Sequence, residues 1–264
     1  MISIDKHAYN SKLKQQDPMQ KFVFALATIG VGLWANSIPV SAAIILIMMW
    51  VTVRKGGTPL SLFLKLLLLP MSFLIIGILT IAVNVSARPG DFLISIGIFG
   101  THLGVSAAGI ANAGRLFFKA LGAVSCLYYL SLSTPMTDLL SVLRKLKVPK
   151  LITELMSLIY RFVFVLLETA DTMVTAQNSR LGYANFSSGF RSLSALVSTL
   201  FIRALKRSDE IYTALEARGY DGELDVLEED YTYHWWGYAA TACLSVVLVL
   251  ATLYLRGFSI WILN

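Results

Sequence analysis

The residues in this chain whose types and spacing could do chemistry are few, and most are cations or carboxylates. Arg115 and Lys119 stand four positions apart and so share one face of any helix that holds them. Glu168 and Asp171, at i and i+3, could form an acid–base pair on a helix face; no accompanying motif surrounds them, and a solvated or interfacial face is the alternative. His7, His102 and His234 are scattered, and none is followed by a second histidine or a carboxylate at i+3 or i+4, so no helical metal site is expected. Cys126 and Cys243 lie in apolar runs more than 100 residues apart and read as small hydrophobes, not as a disulfide or thiolate site. The signatures G-x-x-x-x-G-K-[ST], H-E-x-x-H and G-x-S-x-G are absent. Any ATP chemistry would therefore belong to a partner, and no cofactor or metal bound by this chain is expected.

A stronger pattern occurs twice. ETADTMVTAQNSR, residues 168–180, is helix-compatible and ends at Arg180, followed by Leu181 and by Gly182, a residue suited to the left-handed position after a helix. SDEIYTALEAR, residues 208–218, places Ile211, Leu215 and Arg218 on one face, with Ser208 as a candidate N-cap and Gly219 directly after the arginine. Two helices thus end in an arginine beside a glycine, 38 positions apart. Such ends could dock charged tips into clefts of another protein; equally, a cation in a last helical turn complements the helix dipole.

The elements that must position these residues follow from composition. The chain has 264 residues, 56% hydrophobic and only 14% charged, where soluble domains carry about 25% charged residues. With a mean hydropathy of +0.68, this is a membrane protein and not a water-soluble globule. Residues 22–53 carry no charge; as one helix they would be about 48 Å long, against a hydrocarbon core of about 30 Å. The run must fold back, and Asn36, Ser37 and Pro39 mark the break, giving helices near 18–35 and 39–54, with Lys21 and Arg54 snorkelling at their ends. Residues 66–87 supply a third span, ended by Arg88-Pro89-Gly90-Asp91, and a fourth runs from about 104 to 132. Residues 92–103, punctuated by Gly97 and Gly100, read as a loop or interfacial segment. Residues 235–255 form a final span opened by Tyr231, Tyr233, Trp235 and Trp236 as an aromatic belt.

Between 133 and 233 charges recur every few residues, interrupted by apolar stretches at 151–167 and 193–202 that fit amphipathic helices at the membrane surface. The expected fold class is an all-α integral membrane protein with about five transmembrane helices plus cytoplasmic or interfacial amphipathic coupling helices. Residues 1–132 hold the N-terminal segment and four spans, 133–234 the coupling region, and 235–264 the last span. About twenty polar residues of both charge signs precede the first apolar run, which is unlike a cleaved secretory leader, and a cytoplasmic N-terminus is expected. That topology puts eighteen Lys and Arg inside against Arg88 and Arg256 outside, as the positive-inside rule requires. Arg115 and Lys119 then lie within the fourth span, where a charge must be paired or wetted. They contact a partner or an internal carboxylate such as Glu154, Glu168 or Asp171, or the helix sits lower, toward the cytoplasm.

The block TPMTDLLSVLRKLKVPKLITELMSLIYRFVFVLLETADTMVTAQNSRLGYAN, followed by RALKRSDEIYTALEARGYDG, resembles the transmembrane T component of energy-coupling factor (ECF) transporters through its R-F, L-L-E, A-Q-x-x-R and A-R-G-Y elements, over roughly residues 133–222. The N-terminal IDKHAYNSKLKQQDPMQKFVFAL resembles the cobalt-transport branch, the CbiQ family. The resemblance implies a non-catalytic scaffold in a prokaryotic cell membrane, serving cobalt uptake for cobalamin biosynthesis, with nickel close behind. It implies two ABC-type ATPase subunits that use ATP and Mg, bound through arginine motifs at the ends of two coupling helices. A separate substrate-binding membrane subunit, CbiM-like and optionally joined by a small CbiN-like subunit, completes the complex; nucleic acid is not a partner. By position the motifs are Ser179-Arg180-Leu181 and Ala217-Arg218-Gly219. The first departs from the small-Arg-small pattern at Leu181. The alternative class is a self-contained secondary transporter that carries its substrate past Arg115 and Lys119; it requires an internal repeat with matching broken helices, and no convincing repeat is found.

Overall fold

A computed structural model describes residues 3–86, 94–98, 101–105, 107–220, 231 and 235–262. The chain divides into two compact units, one formed by residues 2–139 and 230–264, the other by Leu140–Glu229 with residue 1. The turn expected at residues 88–91, the acidic run 228–230, Tyr233 and His234 lie outside the described residues.

The larger unit holds α1 (Ser3–Tyr9), α2 (Pro18–Ala35), α3 (Ile38–Trp50) continued by a π-helical turn (Val51–Lys55), α4 (Leu60–Ala82), α5 (Ala107–Ser133) and α9 (Trp235–Ile262). Five helical segments, Pro18–Ala35, Ile38–Lys55, Leu60–Ile81, Gly109–Ser133 and Trp235–Leu255, are long and apolar enough to cross a membrane. The protein is an all-α, multi-pass membrane protein through these spans. The break expected in the first apolar run is where the sequence puts it. Asn36 adopts a left-handed conformation (φ 47°) after α2, and Pro39 sits in the first turn of α3, where its missing N–H costs nothing.

The third span differs from expectation. It starts at Leu60, not 66, and ends at Ala82, not 87. The helix is nucleated directly after Thr58-Pro59, whose carbonyl accepts the Leu62 N–H, and Lys65 is carried inside it. A long cationic side chain can lie along an apolar helix near its end, so a charge was the wrong boundary marker. The 92–103 segment is also corrected. β1 (Val83–Ser86), β2 (Ile94–Ile98) and β3 (Thr101–Val105) form a small antiparallel sheet in the order β1-β3-β2. The alternation Ile94-Ser95-Ile96-Gly97-Ile98 has the period of a strand, a signal that the glycines hid.

α5 is the central helix and packs against α2, α3 and α4. One cluster joins Ala25, Val40, Ile44, Met48, Cys126, Tyr129 and Leu248; a second joins Phe63 and Leu67 of α4 to Leu121 and Leu132 of α5. Cys126 is buried, as its reading as a small hydrophobe requires. Pro70 lies inside α4 and has no N–H to give the carbonyl of Leu66. The Tyr128 hydroxyl of α5 donates to that carbonyl at 3.1 Å. A bilayer offers no water to an orphaned carbonyl, so Tyr128→Phe is expected to cost about 1–3 kcal/mol, read as a lower melting temperature in detergent. An unchanged value would mean that the freed carbonyl finds another donor.

The smaller unit contains two long helices, α7 (Lys150–Ser179) and α8 (Phe186–Glu216), and α6 (Met136–Lys145) runs across the boundary between the units. The apolar stretches and the arginine-bearing segments, expected as separate helices, are continuous: 30 residues in α7 and 31 in α8. No Gly, Pro or turn-forming pair interrupts residues 167–168 or 202–208, so nothing stops helix propagation there. Ser208 therefore sits inside α8 and is not its N-cap; Asn185 takes that place.

Candidate functional site: two arginine-bearing helix ends

Both long helices of the smaller unit close in the same way, as does α6, whose end has Lys147 in the left-handed conformation (φ 61°). At the end of α7 the N–H of Gly182 donates to the carbonyl of Gln177 at 2.8 Å, and that of Leu181 donates to Asn178 at 3.0 Å. At the end of α8 the N–H of Tyr220 donates to Leu215 at 3.0 Å, and that of Gly219 to Glu216 at 3.0 Å. These are the paired 6→1 and 5→2 bonds of a Schellman motif. The left-handed residue is Leu181 (φ 58°) in the first and Gly219 (φ 75°) in the second. Arg180 and Arg218 thus occupy equivalent stations, each one residue before the left-handed position, and both are exposed.

The left-handed residue expected at Gly182 is Leu181 instead. Gly182 answers a different demand, since a Cβ there would stand 2.8 Å from the Gln177 carbonyl oxygen and 2.8 Å from Ser192 Oγ. The corner around it is tightly built. Ser188 and Ser192 hydroxyls both donate to the Gly182 carbonyl, at 2.9 and 2.8 Å. The Gln177 amide donates to the Ser192 carbonyl at 3.0 Å and accepts from the Tyr183 hydroxyl at 2.8 Å. Gly182→Ala is expected to open this corner, because the first obstacle is backbone; faster limited proteolysis at residues 180–186 would register it, with unchanged cleavage counting against a rigid corner.

The remaining motif residues support the ends without adding chemistry. Ser179 spends its hydroxyl on the Thr175 carbonyl at 3.0 Å, and Ala217 is exposed beside Arg218. Glu168 and Asp171 are exposed on α7 with no histidine or cysteine cluster; among the described residues no group of three potential metal ligands occurs. Exposed Phe186, Phe190, Leu193, Val197 and Phe201 form an apolar stripe on α8 at helical spacing.

In the larger unit, Arg115 is exposed and Lys119 half-buried in a shallow cleft lined by Thr28, Gly32, Ser41 and Gly122. Neither makes an ion pair or hydrogen bond among the described residues.

Sequence reasoning missed one polar centre. Lys21, expected to snorkel at a helix end, is only 1% exposed. Its ammonium donates to the carbonyls of Leu13 and Ser133, both at 3.1 Å, and is attracted by the carboxylates of Asp138 and Asp17. Asp17 Oδ1 caps α2 through the Met19 N–H at 3.0 Å, and its Oδ2 accepts from the Tyr238 hydroxyl at 2.9 Å. One cluster therefore ties the N-terminal segment, α2, the α5–α6 corner and α9. Three of its members are separated by more than 100 positions, and no local pattern announces it.

Comparison with known proteins agrees with this architecture. The model of the CbiQ family, described as cobalt transport protein, matches residues 10–228. The cobalt transport protein CbiQ of Salmonella typhimurium is 30% identical over 84% of this chain and 99% of its own length. A putative fused cobalt transport protein CbiMQ of Methanocorpusculum labreanum is 31% identical, over 86% of this chain and 38% of the longer fused protein. The energy-coupling factor transporter transmembrane protein EcfT of Ruminiclostridium cellulolyticum is 35% identical over 65% of this chain and 66% of its own. Five apolar spans and these relatives define a multi-pass membrane component of a transport system. Within that class, the chain belongs to the CbiQ family.

Proposed function

We propose that this chain is the energy-coupling subunit of an ECF-type importer for cobalt, with nickel as the second candidate ion. The observation that carries the reading is the equivalence of Arg180 and Arg218. One such end is a common helix terminator, but two with an exposed arginine at the same station suit a pair of ATPase subunits related by twofold symmetry. A guanidinium offers five donors in a fixed plane, able to hold carboxylates or main-chain oxygens in one orientation. In this reading two ABC-type subunits bind and hydrolyse ATP with Mg, and their closure displaces the two tips. α7 and α8, each about 45 Å long, carry that displacement toward a CbiM-like substrate-binding membrane subunit. This chain itself is non-catalytic and binds no nucleotide. The positive-inside count supports a cytoplasmic N-terminus and cytoplasmic tips in a prokaryotic cell membrane.

The test is purification of the tagged chain from its native membrane in mild detergent. Walker-motif ATPases are expected to accompany wild type and to be lost from Arg180→Ala/Arg218→Ala. A chain that arrives without ATPases, under conditions that keep other ABC complexes whole, refutes the reading.

A further inference from the structure

The outer face of α5 is the least explained surface in the larger unit. Along one side of this helix, Lys119, Gly122 and Cys126 are covered: Lys119 lines the cleft with Thr28 and Gly32, Gly122 lies against Ser41, and Cys126 accepts from the Thr28 hydroxyl at 3.5 Å. One turn nearer the N-terminal end the same side is open, with Ala111, Asn112, Arg115 and Leu116 exposed. Among the described residues, a helix-packing seam filled below by α2 and α3 is thus vacant above. Arg115 and Lys119 lie about 9 and 15 Å along the helix from Gly109, the first residue of the apolar span.

We propose that this open seam is the docking site for a transmembrane helix of another membrane subunit that bears a carboxylate facing Arg115. Three features select that occupant. A cation at this depth must be paired or wetted, and Arg115 has no ion-pair or hydrogen-bond partner among the described residues. Ala111 is small and Asn112 can donate and accept, the combination that lets helices approach and hydrogen-bond within lipid. A second copy of this chain is a poor occupant, because a twofold contact through the seam presses Arg115 against its own copy. The inference rests on the reading of this chain as one membrane subunit among others, and names the surface and chemistry by which they meet.

The test is photocrosslinking in native membranes, with p-benzoylphenylalanine placed at position 112 or at position 116 of the full-length chain. An adduct with a second membrane polypeptide, carrying an Asp or Glu within a span by mass spectrometry, is expected. An adduct with lipid alone, which would mean that Arg115 reaches headgroup phosphates, overturns the proposal, as does an adduct of twice this chain's mass. In parallel, Arg115→Met/Lys119→Met should reduce recovery of that polypeptide at least tenfold while ATPases bound through Arg180 and Arg218 are retained; wild-type recovery overturns it. Failure of the ATPase reading would appear as missing ATPases in the wild-type preparation, leaving the crosslink to be judged by itself.

Discussion

Lys21→Met is expected to abolish recovery of a monodisperse folded protein. The substitution keeps the length of the side chain and removes the charge, so the loss tests electrostatics and not packing. In the folded protein, Asp17 and Asp138 are 5% and 2% exposed. Without the ammonium these carboxylates are left buried with no cation to attract them, and the carbonyls of Leu13 and Ser133 lose their donor. Leaving buried charged or polar groups without the cation that compensates them costs several kcal/mol, comparable to much of a protein's net stability of about 5–15 kcal/mol. The site draws on four parts of the larger unit, so its failure should not stay local: α2 loses its anchor to the α5–α6 corner, and the Asp17–Tyr238 bond to α9 loses its compensating charge. Lys21→Met/Asp138→Asn should recover part of the loss, because one of the two stranded carboxyl groups is removed with the lysine. Fluorescence-detected size exclusion and a melting curve in detergent decide the matter. Wild-type behaviour of the single variant would mean that water, not protein, solvates Lys21.

The spans were legible because hydrocarbon imposes a length that few sequences meet by accident, and the uncharged runs at 22–53 and 235–255 left little choice. The Asn36 break was legible for a local reason, an αL-tolerant residue followed by proline. Where a boundary depended on the absence of charge, as at Lys65, the helix ignored it. The Lys21 cluster was illegible for the opposite reason: its chemistry exists only after residues 17, 21, 133, 138 and 238 meet. The arginine ends fall between these cases. Their helices and glycines showed in the sequence, but the roles of the glycines did not. The first end asks for a left-handed residue at 181 and for no Cβ at 182, and a single glycine serves the second demand. Leu181 is left to adopt the left-handed conformation at about 1–2 kcal/mol, 75% exposed. At the second end Gly219 meets no neighbour within 4 Å and is needed only for its backbone angle.

This difference shapes the expected behaviour of the arginine variants. Each guanidinium, if it makes charge-assisted hydrogen bonds in an ATPase groove, contributes about 1.5–3 kcal/mol, or roughly tenfold to more than a hundredfold in affinity. Arg180→Ala and Arg218→Ala alone should each weaken ATPase retention by that factor. One engaged tip still holds its subunit close to the other, so the complex survives each single change in part. The double variant has no such reserve, and its retention should fall by at least a hundredfold, with membrane insertion and melting temperature unchanged because both side chains are exposed and make no hydrogen bond or ion pair among the described residues. Arg→Lys at either station should restore charge but not the planar fork, recovering little. Leu181→Gly separates geometry from contact. It relieves the left-handed strain, so the corner should become more stable; if ATPase retention drops nonetheless, the leucine is itself part of the contact, and if retention holds, Arg180 alone does the binding. Equal retention by the double variant and wild type would leave the two Schellman ends as helix terminators and no more.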